Sequence, residues 1–225
     1  MIERTLIVLN NGGVTDLISL SAVGSLKEEL KPGTFVIVDQ FIDRTINRKK
    51  SFFDKGIVAH VPMAQPTSEP LMLLSKNILQ FLEINFSYGG TYLAMEGPQF
   101  STLAESKLYI NWKCDVIGMT NMPEAKLSRE AEIRYCSISM VTDYDCWHPM
   151  HDKVDLNMII NTLNENVDSS KNFIKHFTEK YYEGISFKND KTSHVLDTSI
   201  ITKKEFWDPN LEQKLKNILK RYNKN

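Results

Sequence analysis

Two carboxylates separated by one residue follow a run of residues suited to a buried strand. The stretch 135–147, YCSISMVTDYDCW, carries apolar side chains with small serines between them, and then Asp143 and Asp145. Side chains two apart in an extended strand point to the same face, so both acids are expected to face one place. A buried strand that ends in acids is typical of ligand sites in open α/β sheets. The alternative is that Asp143 caps the next helix and Asp145 is solvated.

Three other predicted strands also end in small, polar or acidic residues, at 21–25, 95–98 and 119–121. Together with 142–145 they predict four converging strand ends that form one pocket. Small residues such as those at 22–24 let backbone N–H groups approach an anion closely, although small residues also simply end strands.

The elements that must position these residues alternate along the chain. Apolar runs predict strands that end at 22–24, 95, 119 and 143, with another over 35–38, and helical patterns cover 2–10, 70–84, 103–112, 124–132, 154–182 and 203–222. Ser101 is the predicted cap of the helix over 103–112, and 40–70 is predicted to be irregular. The alternation predicts an α/β protein of three layers (α/β/α) with a mixed, largely parallel central sheet. No repeat or linker marks a second domain, so one domain over residues 1–225 is expected.

The composition is that of an ordinary globular protein. The 225 residues are 42% hydrophobic and 24% charged, with a formal net charge of −1. This charge argues against a nucleic-acid partner, because polyanion binding needs a basic surface. Cys114, Cys136 and Cys146 have no metal-ligand spacing and are interpreted as small hydrophobes in a reducing compartment, with no metal site. Because the sequence shows no membrane-length apolar run and no signal-peptide profile, we expect a cytoplasmic protein without a membrane partner.

Six motifs carry a resemblance to one enzyme family. In chain order they are SAVGSLKEELKPG, FVIVDQFIDRT, AHVPMAQP, EGPQFSTLAES, CDVIGMTNMPEAKLSREAEI and VTDYDCWHP. Together they closely resemble the 5′-methylthioadenosine phosphorylases of the purine nucleoside phosphorylase superfamily, from about residue 14 to the helix after residue 149. The resemblance implies a nucleoside phosphorylase-like fold and phosphorolysis of 5′-methylthioadenosine to adenine and 5-methylthioribose 1-phosphate. Inorganic phosphate is then the co-substrate, and no cofactor or metal is implied.

The two acids match positions that face the purine in this family. Cleavage of a glycosidic bond develops an oxocarbenium-like sugar and pushes negative charge onto the leaving purine. Asp143 is implied as the donor to purine N7, which requires that it carry or share a proton at cleavage. Burial and the nearby Asp145 favour this, because two close carboxylates resist being ionised together. Asp145 is implied near the exocyclic amine, where a carboxylate favours a 6-amino purine, and neighbouring Thr142 belongs to the implied substrate-binding set.

Further positions match the family's contacts to the nucleoside. Phe100 matches a residue that stacks on the base, although a phenylalanine taken alone is more simply a core residue. Ser101 stands where 6-oxopurine relatives carry a base-binding glutamate, which points to adenine. Met119 matches a residue under the ribose, and Leu156 and Ile159 match the lining of the alkylthio pocket.

Other positions match the family's phosphate ligands and a subunit contact. Ser21 and Ala22 match the strand-end phosphate contact, and Thr120 matches a further phosphate ligand. His60 matches a residue that reaches the 5′ end of the substrate from a neighbouring subunit, which implies a homotrimer with shared sites. On the sequence alone, a lone histidine in a loop is more often a surface residue.

Two features depart from the family pattern. Gly118 stands where some members carry an asparagine, and little effect is expected from it. The family begins with a glycine-rich strand-loop and a later Arg-His segment that hold phosphate, and this chain contains neither. We therefore expect an N-terminally truncated member that lacks much of the phosphate site. A catalytically impaired adenine-nucleoside-binding protein or subunit is one alternative, and a 6-oxopurine nucleoside phosphorylase, against which Asp143 and Ser101 argue, is another.

Overall fold

The computed structural model describes residues 2–53, 56–149 and 156–224, without the side chains of 156–159 and 224. The helices are α1 (Ile2–Asn11), α2 (Glu69–Phe81), α3 (Leu103–Asn111), α4 (Asn121–Glu130), α5 (Leu156–Glu183) and α6 (Pro209–Lys214). The strands are β1 (Asp16–Ser25), β2 (Phe35–Val38), β3 (Gln40–Asp43), β4 (Phe86–Tyr88), β5 (Thr91–Ala94), β6 (Val116–Gly118) and β7 (Arg134–Asp143). Short 3₁₀ turns include Asp145–Trp147 and Lys204–Phe206.

The strands form one sheet in the order β3-β5-β6-β1-β7-β2-β4. The pairs β1/β7, β2/β4, β3/β5 and β5/β6 are parallel, whereas β1/β6 and β2/β7 are antiparallel. The predicted α/β class with a mixed, largely parallel sheet is therefore confirmed.

Strand β7 lies in the interior of the sheet, and its two faces are buried in different clusters. Cys136, Ile138 and Met140 pack with apolar side chains of α2 and α5. Tyr135 and Val141 belong to a second cluster that contains side chains of α4. Alternate residues of a strand point to opposite faces, so a strand that is apolar at most positions needs cover on both sides. The helices on the two faces produce the predicted three layers.

Two strands lie where the sequence predicted none. The segment predicted to be irregular over 40–70 begins with β3, which pairs in parallel with β5. Strand β4 pairs in parallel with β2 at the opposite edge of the sheet. These strands have four and three residues, which is too short for an alternating pattern to identify them.

The helix predicted over 203–222 is broken, and its interior proline explains why. Helix α6 begins at Pro209, and the Asp208 carboxylate accepts a hydrogen bond of 2.8 Å from the Leu211 backbone N–H. Proline lacks an N–H group, so it starts a helix far more readily than it continues one.

The predicted cap of α3 is also wrong by one residue. Helix α3 is capped by Thr102 and not by Ser101. The Thr102 side chain accepts from the Glu105 backbone N–H, and the Glu105 carboxylate accepts from the Thr102 N–H in return. This reciprocal capping box satisfies two donors at the helix start, which Ser101 could not do from its position.

Glu130, the last residue of α4, anchors the loop over 44–53. Its side chain is 5% exposed and accepts a hydrogen bond of 2.6 Å from the Phe52 backbone N–H. Burial raises the pKa of this carboxyl to about 7, although the hydrogen bond from Phe52 opposes the shift. The folded state therefore holds the proton of Glu130 more tightly than the unfolded chain does.

Replacing Glu130 with glutamine should flatten the pH dependence of stability. Because the folded pKa lies above the ordinary value of 4.5, the stabilisation is fully present below pH 4.5 and is lost as the pH rises through about 7. At about 1.4 kcal/mol for each pKa unit, the loss is about 3 kcal/mol. The free energy of unfolding is measured by urea unfolding at pH 4.5 and at pH 8. Between these pH values the wild type should lose about 3 kcal/mol relative to Glu130→Gln. Parallel pH profiles for the two proteins would contradict this account of Glu130.

Candidate active site

Ser21 and Thr120 form a pair of hydroxyls between β1 and the end of β6. Their side-chain oxygens lie 2.8 Å apart. Because β6 runs antiparallel to β1, the end of β6 meets the middle of β1 and not its carboxyl end. The predicted convergence of four carboxyl ends is therefore wrong for β6, which meets β1 at a position before its end. Ser21 is buried, whereas Ala22 and Thr120 are exposed, so the pair is open to a ligand on one side.

Two buried residues hold Thr120 in place: Tyr92, which sequence reasoning missed, and Asn121, from the predicted strand end 119–121. The Thr120 hydroxyl donates to Asn121 Oδ1 at 3.1 Å. The Tyr92 hydroxyl lies 3.4 Å from Thr120 Oγ1 and accepts from the Thr120 backbone N–H at 3.3 Å. Both Tyr92 and Asn121 are 0% exposed. In the sequence Tyr92 looks like an aromatic strand residue, so its polar contact with Thr120 gave no local signal.

The two acids meet, but a turn brings them together and not an extended strand. Strand β7 ends at Asp143, and Asp145 lies in the 3₁₀ turn with a φ of 49°. The Asp145 backbone N–H donates to Asp143 Oδ1 at 2.8 Å, an Asx-type contact that fixes the turn. The predicted convergence of the acids is found, whereas the predicted same-face geometry is wrong.

Gly24 is the residue that gives the acids room. A Cβ atom at this position would lie 3.2 Å from Asp143 Oδ1 and 3.3 Å from Asp145 Cβ. The register of β1 against β7 places Gly24 opposite Asp143, next to an irregularity after Val23. A side chain at Gly24 would therefore press on the Asp143 carboxylate and on the Asp145 side chain at once.

The acids have different surroundings. Asp145 is 7% exposed and accepts a hydrogen bond from the Ser106 hydroxyl of α3. Burial raises the pKa of the Asp145 carboxyl, although the hydrogen bond from Ser106 opposes the shift. Asp143 is half-buried and accepts from the Thr142 hydroxyl at 2.8 Å. The alternative in which Asp143 caps a helix and Asp145 is solvated is wrong, because Tyr144 is the cap and Asp145 is buried.

Thr142 lies behind the acids. Its side chain is 7% exposed, and besides Asp143 its hydroxyl contacts the Val23 carbonyl oxygen at 3.2 Å. These contacts join the ends of β1 and β7 next to the site.

Phe100 and Ser101 lie between β5 and α3, beside the turn that carries Asp145. Phe100 is 81% exposed, so the alternative that it is a core residue is wrong. Ser101 is 9% exposed, and its carbonyl oxygen accepts from the Cys146 thiol at 3.3 Å. An exposed aromatic ring next to a buried polar group is a suitable surface for a flat heterocycle.

Arg48, which sequence reasoning left in an irregular loop, ties the strand ends together. Its Nη1 donates to the carbonyl oxygens of Met119 and Met122 at 2.6 Å each. Its Nη2 donates to the Glu96 carbonyl oxygen at 2.7 Å. One guanidinium therefore fixes the backbones that follow β5 and β6, including that of Met119, through charge-assisted hydrogen bonds.

Among the described contacts none brings His60 to this place, and two other predicted site residues have side chains that are not described. His60 is exposed, and its backbone N–H donates to the Ser199 carbonyl oxygen at 2.8 Å. Among the described residues, its hydrogen bonds reach neither the acids nor the hydroxyl pair. Leu156 and Ile159 begin α5, but their side chains lie outside the described residues.

The described part of the chain offers neither a metal site nor a membrane span. Within it, no group of three or more histidine, cysteine, aspartate or glutamate side chains could hold a metal ion. None of the helices in the same ranges has the length and apolar character needed to cross a bilayer.

Comparisons with known proteins agree on the family. Residues 2–179 match the family profile described as Phosphorylase superfamily. The S-methyl-5′-thioadenosine phosphorylase of Rhodospirillum rubrum is 54% identical over 207 residues, which are 92% of this chain and 70% of that protein. The enzyme of the same name from Bradyrhizobium diazoefficiens is 52% identical, over 92% of this chain and 72% of that protein.

Solved structures give the same result. A methylthioadenosine phosphorylase from an antarctic soil metagenomic library is 38% identical with a TM-score of 0.87, covering 97% of this chain and 76% of its own. A point mutant of the adenosine/methylthioadenosine phosphorylase of Schistosoma mansoni, in complex with methylthioadenosine, is 26% identical with a TM-score of 0.81, covering 88% and 76%. The chain thus belongs to the Phosphorylase superfamily and, within it, to the family of S-methyl-5′-thioadenosine phosphorylases.

Proposed function

We propose that this protein cleaves 5′-methylthioadenosine by phosphorolysis, giving adenine and 5-methylthioribose 1-phosphate, and so serves purine and methionine salvage. The observation that carries the proposal is the pair of acids after β7, of which Asp143 is half-buried and Asp145 is buried. The exposed Phe100 beside them and the Ser21–Thr120 pair support it. So do the names of the relatives that share about half of the aligned residues.

In the proposed reaction the C1′–N9 bond breaks, and its electron pair stays on the purine. The Asp143 carboxyl donates its proton to N7, which neutralises the charge that develops on the leaving base. A phosphate oxygen forms the new bond to C1′. The proton that Asp143 gives up is replaced by one that enters with dihydrogen phosphate, so atoms and charge balance. The hydrogen bonds from Thr142 and the Asp145 N–H hold the Asp143 carboxyl in one orientation.

Asp145 is the proposed determinant of preference for a 6-amino purine. Its carboxylate can accept a hydrogen bond from the exocyclic amine of adenine. A 6-oxo purine would present an acceptor to this buried carboxylate and leave both groups without a donor. The buried Ser106 hydroxyl supports this assignment because it holds the Asp145 side chain in place.

Phosphate is proposed to bind at Ser21, Ala22 and Thr120. Hydroxyl groups and an exposed backbone N–H are donors that suit an oxyanion. Ala22 is exposed next to the buried Ser21, and Thr120 is exposed across from it. The sugar is proposed to lie on Met119.

The 5′-methylthio group and the subunit arrangement are part of the same proposal. Leu156 and Ile159 are proposed to line an apolar pocket for the methylthio group. His60 is proposed to reach the site of a neighbouring subunit in a homotrimer. The exposure of His60 and the anchoring of its backbone to Ser199 support a role outside its own chain.

A cytoplasmic location is also proposed. It is supported by Cys114, Cys136 and Cys146, which are all free thiols. Free thiols are usual in a reducing compartment.

The experiment that tests the function is adenine release from 5′-methylthioadenosine by the purified chain, with and without inorganic phosphate. We expect release that depends on phosphate and is faster than release of hypoxanthine from inosine. Binding of 5′-methylthioadenosine without release would favour a nucleoside-binding protein instead. Faster cleavage of inosine would favour a 6-oxopurine phosphorylase.

Asp143→Asn should lower kcat by roughly 10² to 10⁴, the range for loss of a general acid. Asparagine has the same shape as aspartate but offers no acidic proton to N7. Asp168→Asn is the matched control, because Asp168 lies on the surface of α5 in an exposed pair with Lys171. The control should keep wild-type turnover. A kcat of Asp143→Asn within a few-fold of the wild type would remove Asp143 from the chemistry.

Asp145→Asn should shift the base preference toward 6-oxo purines. The asparagine amide can donate to a 6-oxo group, which the carboxylate cannot do. The ratio of kcat/KM for 5′-methylthioadenosine to that for 5′-methylthioinosine should fall roughly 10- to 100-fold, as expected when a buried group gains or loses its partner. An unchanged ratio would show that Asp145 does not contact the 6-position.

A further inference from the structure

The Tyr92 side chain fills the space that a side chain at Gly118, on the neighbouring strand, would need. Strands β5 and β6 pair so that Tyr92 lies opposite Val116 and Ala94 opposite Gly118. Residues two apart on a strand share a face, so Val116 and Gly118 point the same way. A Cβ atom at Gly118 would overlap the Tyr92 hydroxyl and lie 2.8 Å from its Cζ. Because Gly118 has no side chain, the buried Tyr92 ring has room to extend toward Thr120.

The Tyr92 hydroxyl ends at the residue proposed to bind phosphate. It accepts from the Thr120 backbone N–H at 3.3 Å and lies 3.4 Å from Thr120 Oγ1. Thr120 Oγ1 also lies 2.8 Å from the Ser21 hydroxyl and 3.1 Å from Asn121 Oδ1. Three polar groups thus converge around Thr120.

The chemistry of these groups decides which of them donates. Asn121 Oδ1 can only accept, so the single Thr120 hydroxyl proton points to it. The Asn121 amide N–H₂ donates to the Ser137 hydroxyl, which fixes the orientation of this amide. Ser21 and Tyr92 must then both donate to the lone pairs of Thr120.

An anion at this place changes the direction of these bonds. A phosphate oxygen only accepts, so the Ser21 and Thr120 hydroxyls must both turn their protons toward it. Thr120 then keeps one donor to its oxygen, the Tyr92 hydroxyl. This donor stays in place when Ser21 withdraws its hydrogen bond, and it strengthens the Thr120 hydroxyl as a donor to the anion.

We propose that Tyr92 is a positioning residue for phosphate. Its hydroxyl, in the space left by Gly118, accepts from the Thr120 backbone N–H and orients the Thr120 hydroxyl toward the anion. This inference rests on the proposed function, because it takes Ser21 and Thr120 as phosphate ligands. The phosphate site then also depends on Tyr92, which is buried and aromatic, and on Gly118, which has no side chain.

Tyr92→Phe tests the proposal because it removes the hydroxyl and keeps the ring. Tyr135→Phe is the matched control, since Tyr135 is 2% exposed in the same cluster and its hydroxyl donates to Glu124 at 2.7 Å. Calorimetric titration with inorganic phosphate should show a Kd raised roughly fivefold to tenfold in Tyr92→Phe, as expected for one lost hydrogen bond. The Kd of adenine should stay within twofold, and Tyr135→Phe should change neither constant.

In turnover, Tyr92→Phe should raise the KM for phosphate by a similar factor with little change in kcat. An unchanged phosphate Kd, or an equal rise in Tyr135→Phe, would overturn the proposal. Because phosphate binding is measured without turnover, a wild-type chain that binds phosphate but releases no adenine would refute the proposed function alone. A wild-type chain that binds no phosphate would overturn both.

The coupling between the two positions provides a second test. Gly118→Ala should weaken phosphate binding and lower the Tm in the wild-type background, because its Cβ displaces the Tyr92 hydroxyl. In a Tyr92→Leu background the same substitution should have a much smaller effect on both, because the space is free. Equal effects of Gly118→Ala in the two backgrounds would show that a side chain at 118 does not compete with the Tyr92 hydroxyl for space.

Discussion

The pairing of β1 with β7 is the constraint on which the site depends. The two strands run in parallel from Asp16 opposite Arg134 to Gly24 opposite Asp143. At the start of this pairing the Arg134 guanidinium donates to both oxygens of the Asp16 carboxylate, at 2.5 and 2.7 Å. A slip of one residue would turn every side chain of β7 to the other face. It would also remove Gly24 from its place beside the acids, so the same register that buries the strand also makes room for the site.

The second determinant is the antiparallel run of β6 beside β1, which brings Thr120 to Ser21 in the middle of a strand. Loop 44–53 secures this arrangement, because Arg48 hydrogen-bonds the backbones after β5 and β6 at once. A planar guanidinium suits this task, since its donors spread in a fixed fork. The main chain after β5 and β6 is therefore held by side chains from other elements.

Local patterns predicted β7, β2 and α2 because their apolar spacing is strong. The family motifs predicted the site residues, which include Asp143, Asp145, Ser21 and Thr120. Other features could not be predicted because their causes are not local. Arg48 meets Met119 across 71 positions of sequence, and Tyr92 meets Thr120 across 28, so no pattern near either residue signals the contact. The turn that carries Asp145 requires a positive φ at a non-glycine residue, which strand periodicity does not indicate. The subunit arrangement and the alkylthio pocket stay predictions.

We propose that one site holds a nucleoside and an oxyanion so that the sugar passes from purine to phosphate. The most direct test is to identify the sugar product formed from 5′-methylthioadenosine with ¹⁸O-labelled inorganic phosphate, using mass spectrometry. We expect 5-methylthioribose 1-phosphate that carries labelled oxygen at the C1′–O bond, in equal amount with adenine. Unlabelled free 5-methylthioribose, or no cleavage by a folded protein, would contradict it.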